Sequence, residues 1–345
     1  MTRSTSVSDT DNNSRDGAAA AAAPAPGTGA FPDGPAIVTS NLTLQVDRYE
    51  IFRDVSIQVS SGERVGLIGP IGSGKSALLK TLATLTRPTR GGGAVAGQDL
   101  LSQADAIRPR VGYMPDVLGA YDDLRVWEYL DFFARAGRVE PRHIRSRIDR
   151  LLAEAELTDQ REAFVETLGR EEKRRLGLIK TLLHEPRLLI LDSPAAGLPL
   201  AARRRLRELI DRLLAPDRTL LLGTNILSDL VGLCSRAYVI AGGRIVLEGP
   251  MADVLRRLAP ARAFEVRIGA ETDSPERRAR LAEQARETLR AAPGVDQAQS
   301  LADHVVFSTR EPLEDPAPWL AALRAREIPV GGWREREIDL SVIQL

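Results

Sequence analysis

Gly69-Pro70-Ile71-Gly72-Ser73-Gly74-Lys75-Ser76 satisfies the pattern G-x-x-x-x-G-K-[S/T], and its flanks decide what the match means. The preceding run, Val65-Gly66-Leu67-Ile68, is continuously apolar, the mark of a strand covered on both faces. After it, Leu78, Leu82 and Leu85 recur at i, i+4 and i+7, which predicts one apolar face of a helix. A buried strand that turns through glycines into a helix aims consecutive backbone N–H groups, and the positive end of the helix dipole, at a phosphate. In such a cradle Lys75 reaches the β- and γ-phosphates and Ser76 offers its hydroxyl to Mg²⁺. The bland alternative, a glycine-rich turn that happens to contain Lys-Ser, does not account for both flanks. Gly69, Pro70, Ile71, Gly72, Ser73, Gly74, Lys75 and Ser76 are therefore the nucleotide-binding candidates.

Such a loop needs a partner, an apolar strand ending in a carboxylate that holds the metal. Leu188-Leu189-Ile190-Leu191-Asp192 supplies it. A carboxylate at the end of a buried strand is costly unless it is paired or near a metal, so Asp192 joins Ser76 as a metal candidate. Leu220-Leu221-Leu222 reads as a further buried strand, and the set predicts an α/β fold with a parallel-sheet core. Leu42 to Val46 and Val55 to Val59 alternate with period two and predict an antiparallel β layer. Between about Tyr113 and Leu183 the pattern is mostly helical, which predicts a separate helical lobe.

Beyond Ala259 a new unit begins, with alternation at Phe264 to Ile268, a helix carrying Leu281, Ala285 and Leu289, and a strand at Val305 to Phe307. A helix around Trp319 to Leu323 and a strand near Val330 to Trp333 complete a small α+β domain. The expected organisation is a disordered tail over 1–35, a nucleotide-binding domain over 36–258 and an accessory domain over 259–345. The tail is rich in Ser, Asp, Asn, Ala, Pro and Gly, a mixture that buries too little apolar surface to offset its ordering entropy.

The chain has 345 residues, 43% hydrophobic and 27% charged, the balance of a soluble globular protein. Its 47 basic and 47 acidic residues cancel, so no net field draws nucleic acid to it, and nucleic acid is not an expected partner. Lysine occurs only at Lys75, Lys80, Lys173 and Lys180. The single Cys234 forms no internal disulfide and reads as a plain core or surface thiol in a reducing compartment. His143, His184 and His304 are scattered and none reads as a metal ligand. No stretch approaches the roughly 20 apolar residues needed to span a bilayer, so membrane work would fall to another chain.

With these motifs in hand, the chain resembles the ABC ATPases, specifically the ATP-binding subunits of bacterial drug and multicopper-type exporters with separate membrane subunits. The likeness runs from about Ala36 to Leu345. It includes Val111-Gly112-Tyr113-Met114-Pro115, Leu176-Gly177-Leu178, Leu182-Leu183-His184-Glu185-Pro186 and Gly243-Arg244-Ile245-Val246-Leu247-Glu248-Gly249. The resemblance implies ATP and Mg²⁺ as cofactors and a P-loop fold of the ABC type. It also implies an aromatic residue stacking on adenine; Tyr49 is the best match, or else a packed surface tyrosine.

The family's catalytic positions carry over one by one, and most are replaced. The glutamate that polarises the attacking water falls on Ser193, which removes a base contribution of about 10²–10⁴ in rate, roughly 3–5 kcal/mol. The switch histidine falls on Asn225, which donates a hydrogen bond but carries no charge. The glutamine at the lobe entry falls on Asp116, whose carboxylate can still reach the metal. The signature that begins Leu-Ser-Gly-Gly is here Leu168-Gly169-Arg170-Glu171-Glu172-Lys173. Glu171 and Glu172 are expected to bring negative charge towards a partner's triphosphate, with Arg170 and Lys173 as possible compensation. Pro199 stands where the family has an aspartate, and Arg336 to Val342 resembles the family's closing segment.

These replacements imply a subunit that binds Mg·ATP and hydrolyses it weakly or not at all. Its implied partners are a membrane permease subunit and a second ABC ATPase subunit, in a homodimer or, as the double degeneracy favours, a heterodimer. Its implied place is cytoplasmic, peripheral at the inner face of the cell membrane. The competing reading is a non-hydrolysing, nucleotide-dependent structural or regulatory protein. The C-terminal domain then caps or dimerises the subunit, or senses a ligand.

Overall fold

The computed structural model describes residues 34–117, 119, 123–258, 263–269, 273–309 and 317–336. Apart from Gly34 and Pro35, the expected tail lies outside the described residues. So does 337–342 of the closing segment.

An antiparallel sheet opens the chain, with β1 (Ile37–Val46), β2 (Tyr49–Val55) and β3 (Gln58–Val59). The run Val55 to Val59 is thus not one strand but the end of β2 and the whole of β3, separated by Ser56 and Ile57. Then follow β4 (Arg64–Ile68), α1 (Lys75–Leu82), β5 (Arg90–Val95), β6 (Gln98–Asp99), α2 (Ala104–Ile107) and β7 (Val111–Met114). Helices α3 (Val126–Ala136), α4 (Pro141–Glu154) and α5 (Arg170–Leu182) form the expected lobe. The core resumes with β8 (Leu188–Asp192), α6 (Leu200–Leu213), β9 (Thr219–Thr224), β10 (Arg236–Ala241), β11 (Arg244–Pro250) and α7 (Met251–Leu258).

The central sheet has the order β11-β10-β4-β9-β8-β7, parallel throughout except for β11 at one edge. Its strands explain their own composition. Leu188 and Ile190 of β8 and Leu221 of β9 pack on the side shared with α1 and the antiparallel sheet, whereas Leu189, Leu191, Leu220 and Leu222 pack on the side of α5 and α6. Each residue is covered whichever way it points, so the run is continuously apolar. Leu85 differs from expectation: α1 ends at Leu82, and Leu85 lies beyond it, exposed.

The remaining elements are β12 (Ala263–Ile268), α8 (Pro275–Arg290), β13 (Val295–Leu301), β14 (His304–Thr309), α9 (Ala317–Ala325) and β15 (Val330–Arg336). They form a β-α-β-β-α-β unit with an antiparallel sheet in the order β13-β14-β12-β15. The core is aromatic: Phe264 lies 5.2 Å from Trp319 and 5.4 Å from Phe307, and Trp319 stacks on Trp333 at 6.0 Å. Ser274 caps α8 by accepting from the Arg277 N–H, with Pro275 at the first helical position.

Candidate functional site

The glycine-rich loop leaves β4 and enters α1, and its geometry shows why two of its residues have no side chain. A Cβ on Gly69 would sit 2.1 Å from the carbonyl oxygen of Ile240 on the neighbouring β10. Gly74 has φ +93°, and a Cβ there would lie 2.6 Å from the Ile51 carbonyl on β2. Lys75 is the first helical residue and is buried; its ammonium donates to the carbonyls of Gly69 at 2.6 Å and Pro70 at 2.8 Å. The loop therefore curls around its own lysine, with the N-terminal turn of α1 open above it.

Two strands away, β8 delivers Asp192. The register places Asp192 beside Gly223 of β9, and Ile68 beside Thr224, so the ends of β4, β9 and β8 lie level. Gly223 is what lets them converge, since a Cβ there would meet Leu79 of α1 at 2.5 Å and Asp192 at 3.7 Å. Across that gap the Ser76 hydroxyl donates to the Asp192 carboxylate. Asp192 is 1% exposed; burial pushes its carboxyl above the usual range, Asp116 adds to the rise, and Ser76 and Lys75 oppose it.

Around this pair opens a cleft of ≈ 720 Å³ lined by Ile71 to Ala77 and by Asp116, Ser193, Ala196, Gly197, Asn225, Ile226 and Ile51. Three replaced positions, Asp116, Ser193 and Asn225, thus meet the phosphate loop in one space. Ser193 adopts φ +47° and its N–H donates to the Gly223 carbonyl at 2.8 Å, while its hydroxyl donates to Asp192 at 3.4 Å. Tyr49 is not among the described residues lining the cleft. It is 63% exposed on β2, two residues from the lining Ile51, with the Arg48 guanidinium 5.5 Å from its ring centre.

In the signature-like segment the acidic side chains find partners within the chain. Gly169 caps α5, and Glu172 turns back to accept from the Gly169 N–H at 2.7 Å. Glu171 accepts from Arg205 of α6 at 2.7 and 3.0 Å and from Arg175 at 2.7 Å; Arg205 foremost, with Arg175, holds its carboxyl down at about 2. Both carboxylates are taken up inside the chain, since an Asp or Glu at a helix N-terminus finds unsatisfied N–H groups and nearby guanidinium donors before it finds solvent. Arg170 donates to the Gly197 carbonyl at 2.9 Å and Lys173 to the Glu166 carbonyl at 3.0 Å.

Sequence reasoning overlooked two side chains here. Arg174, one turn after Arg170, donates to the Asp116 carbonyl, to the Asp116 carboxylate at 3.4 Å and to the Ala196 carbonyl at 3.0 Å. Its i, i+4 spacing from Arg170 on a helix was the available signal. Tyr113 of β7 pairs with Ile190 and shares a sheet face with Asp192, and its hydroxyl is buried with no hydrogen-bond partner. Burial, with the carboxylates of Asp192 and Asp116 nearby, raises its pKa, so the phenol stays protonated.

These donors fit the implied cofactors. Ser76, Asp192 and Asp116 are hard oxygen ligands. Mg²⁺ favours one or two carboxylates completed by water and substrate phosphates over an all-protein cage. Among the described residues no group of three or more His, Cys, Asp and Glu side chains forms such a cage. Burial makes the ionised Asp192 carboxylate costly, and a bound cation would offset that cost.

The chain is similar to known proteins in sequence and in fold. The family described as ABC transporter matches residues 52–196. The Nod factor export ATP-binding protein I of Cupriavidus pinatubonensis (strain JMP 134 / LMG 1197) is 32% identical over 278 residues, 80% of this chain and 80% of the relative. The protein of the same name from Rhizobium meliloti (strain 1021) is 35% identical over 214 residues, 62% of this chain and 64% of that relative. Among solved structures, an ATP binding subunit of an ABC transporter superposes with TM-score 0.58 at 28% identity, over 64% of this chain and 92% of that one. A bacterial Atm1-family ABC exporter with ATP bound gives TM-score 0.58 at 24% identity, over 66% of this chain and 41% of that one, a likeness of fold.

Proposed function

This chain belongs to the ATP-binding proteins of ABC transporters, and from that premise we propose that it binds Mg·ATP in the cleft above Lys75 and couples that binding to a separate membrane permease. In this reading Lys75 exchanges its carbonyl partners for the β- and γ-phosphates, and the N–H groups of Gly72 to Ser76 cradle them with the dipole of α1. Ser76, Asp192 and Asp116 hold Mg²⁺, which neutralises phosphate charge when bound. Tyr49, exposed at the start of β2, is available to stack on the base. The observation that carries the reading is that Lys75 and Ser76 line one cleft while Ser76 is hydrogen-bonded to the buried Asp192. The export role rests on the names of its relatives. Closure then occurs against a second ATPase subunit, and the altered signature favours a distinct partner. The protein would work peripherally, at the cytoplasmic face of the membrane.

A second reading, binding without turnover, is favoured by a specific observation. Lys75 and Asp116 are the only ionisable side chains among the described residues lining the cleft, and the family resemblance puts Ser193 where the base would stand. Serine accepts no proton near neutral pH, so the chemical step lacks about 10²–10⁴ in rate. The test is Mg·ATP binding and steady-state hydrolysis on the purified protein, with Lys75→Ala as blank and Ser193→Glu as rescue. The expected result is Lys75-dependent binding, little wild-type turnover and at least a tenfold gain in Ser193→Glu. Wild-type turnover at ordinary ABC rates, abolished by Lys75→Ala, would reject the pseudo-ATPase reading and leave the transport reading standing.

A further inference from the structure

The cleft has two walls that belong to different segments. One is the chain after β7, represented by Asp116; the other is the loop after β8, represented by Ala196 and Gly197. They are about 80 residues apart in sequence and share no strand. The side chain of Arg174 bonds to both. The Arg174 guanidinium donates to the Asp116 carbonyl, to the Asp116 carboxylate at 3.4 Å and to the Ala196 carbonyl at 3.0 Å. It is 13% exposed, against 47% for the Asp116 carboxylate. One turn earlier, on the same face of α5, Arg170 holds the Gly197 carbonyl at 2.9 Å. The helix is itself anchored, because Glu171 is gripped from α6 by Arg205. Such a planar, multiply bonded guanidinium fixes its acceptors in direction as well as distance.

We propose that Arg174 is a positioning residue of the metal site: it orients the Asp116 carboxylate towards Asp192 so that the two share the hydrated Mg²⁺ of Mg·ATP. The inference rests on the nucleotide-binding reading above and deepens it. Asp116 is the only carboxylate among the described residues lining the cleft, and without a fixed partner its half-exposed side chain would be free to turn into solvent. With Arg174 bonded to both its carbonyl and its carboxylate, backbone and side chain are set together. Outer-sphere partners of this kind typically influence metal affinity about 10–100-fold. Arg174 touches neither nucleotide nor metal in this arrangement and acts only through Asp116 and Ala196.

The experiment measures affinity for ATP by calorimetric titration, once in excess Mg²⁺ and once in EDTA, for the wild type, Arg174→Ala, Arg174→Lys and Asp116→Asn. The expected result is that Arg174→Ala and Asp116→Asn each lose about 10–100-fold of the Mg²⁺-dependent gain, read for each variant as the ratio of its affinity in Mg²⁺ to its affinity in EDTA. Arg174→Lys, which keeps the charge but not the fork, recovers part of the loss. Thermal unfolding without ligand accompanies each titration. If Arg174→Ala lowers the melting temperature yet keeps the full Mg²⁺-dependent gain, Arg174 is a structural tie and the proposal is overturned. If the wild type binds ATP in neither condition, the nucleotide-binding reading has failed instead, and this inference with it.

Discussion

The residue at which the site is least settled is Tyr113. Its ring is packed in the core beside Ile190, but its hydroxyl has no partner, and an unsatisfied buried hydroxyl costs about 1–3 kcal/mol. Tyr113→Phe removes the hydroxyl and keeps the ring. It is expected to leave stability in urea unchanged or to raise it by about 1 kcal/mol, so a clear loss would show that the hydroxyl is bonded in solution. The residue scale is also where the sequence was most and least informative. Lys75, Ser76 and Asp192 were legible because their roles depend on residue type within a local pattern. The disposition of Glu171 was not, because its partner Arg205 stands 34 positions away on another helix, and charge alone does not say which neighbour takes it up.

Among the elements, α5 does more than its composition suggests. Its first two turns carry Arg170, Glu171, Arg174 and Arg175, and these tie the lobe to the cleft and to α6. Because the Glu171 carboxyl is held at about 2, below its ordinary 4.5, the stability it contributes is complete above about pH 4.5 and is lost as pH falls towards about 2. Glu171→Gln should therefore destabilise the protein near neutral pH and flatten the acid limb over that window, as read from urea midpoints across about pH 2–5; an unchanged acid limb would mean that the pairing with Arg205 carries no stability. Elements also differ in how plainly sequence announced them. The strands β8 and β9 were evident from apolar runs. The glycine-rich Arg90-Gly91-Gly92-Gly93 stretch is part of β5, because Gly91 and Gly93 press against the backbone of β1, where an added Cβ would meet carbonyl oxygens at 2.3 and 2.2 Å. The strand β13, polar and at a sheet edge, offers no alternation to find.

For the molecule as a whole, sequence announced the α/β class through a few buried strands, whereas strand order depends on long-range pairing that no local window contains. The apolar cores divide in the same way: two flank the central sheet, and a third, aromatic one lies within the C-terminal unit. We propose on this basis that residues from β12 onward form an accessory domain that folds around its own core. Trp319 is 1% exposed, meets Phe264 and Phe307, and donates to the Pro293 carbonyl at 3.1 Å. Trp319→Ala should cost about 3–5 kcal/mol, enough to lower one calorimetric transition while the ATP-stabilised transition stays in place. A single transition shifting as one would join the two units into one cooperative body.

The scarcity of lysine gives the cleft an unusual chemical isolation. Of the four in the chain, Lys75 lies in the phosphate loop, Lys80 on the exposed side of the helix that follows, Lys173 in the first turn of α5, and Lys180 near the end of α5 over the Phe133 ring, where burial lowers its pKa. Every side-chain amine therefore stands on one of two helices, α1, which follows the glycine-rich loop, and α5, whose arginines hold the cleft walls at Asp116, Ala196 and Gly197. An acylating reagent, which on most proteins scatters over dozens of surface sites, would here read out the occupancy of one cleft and the setting of one helix from four peptides.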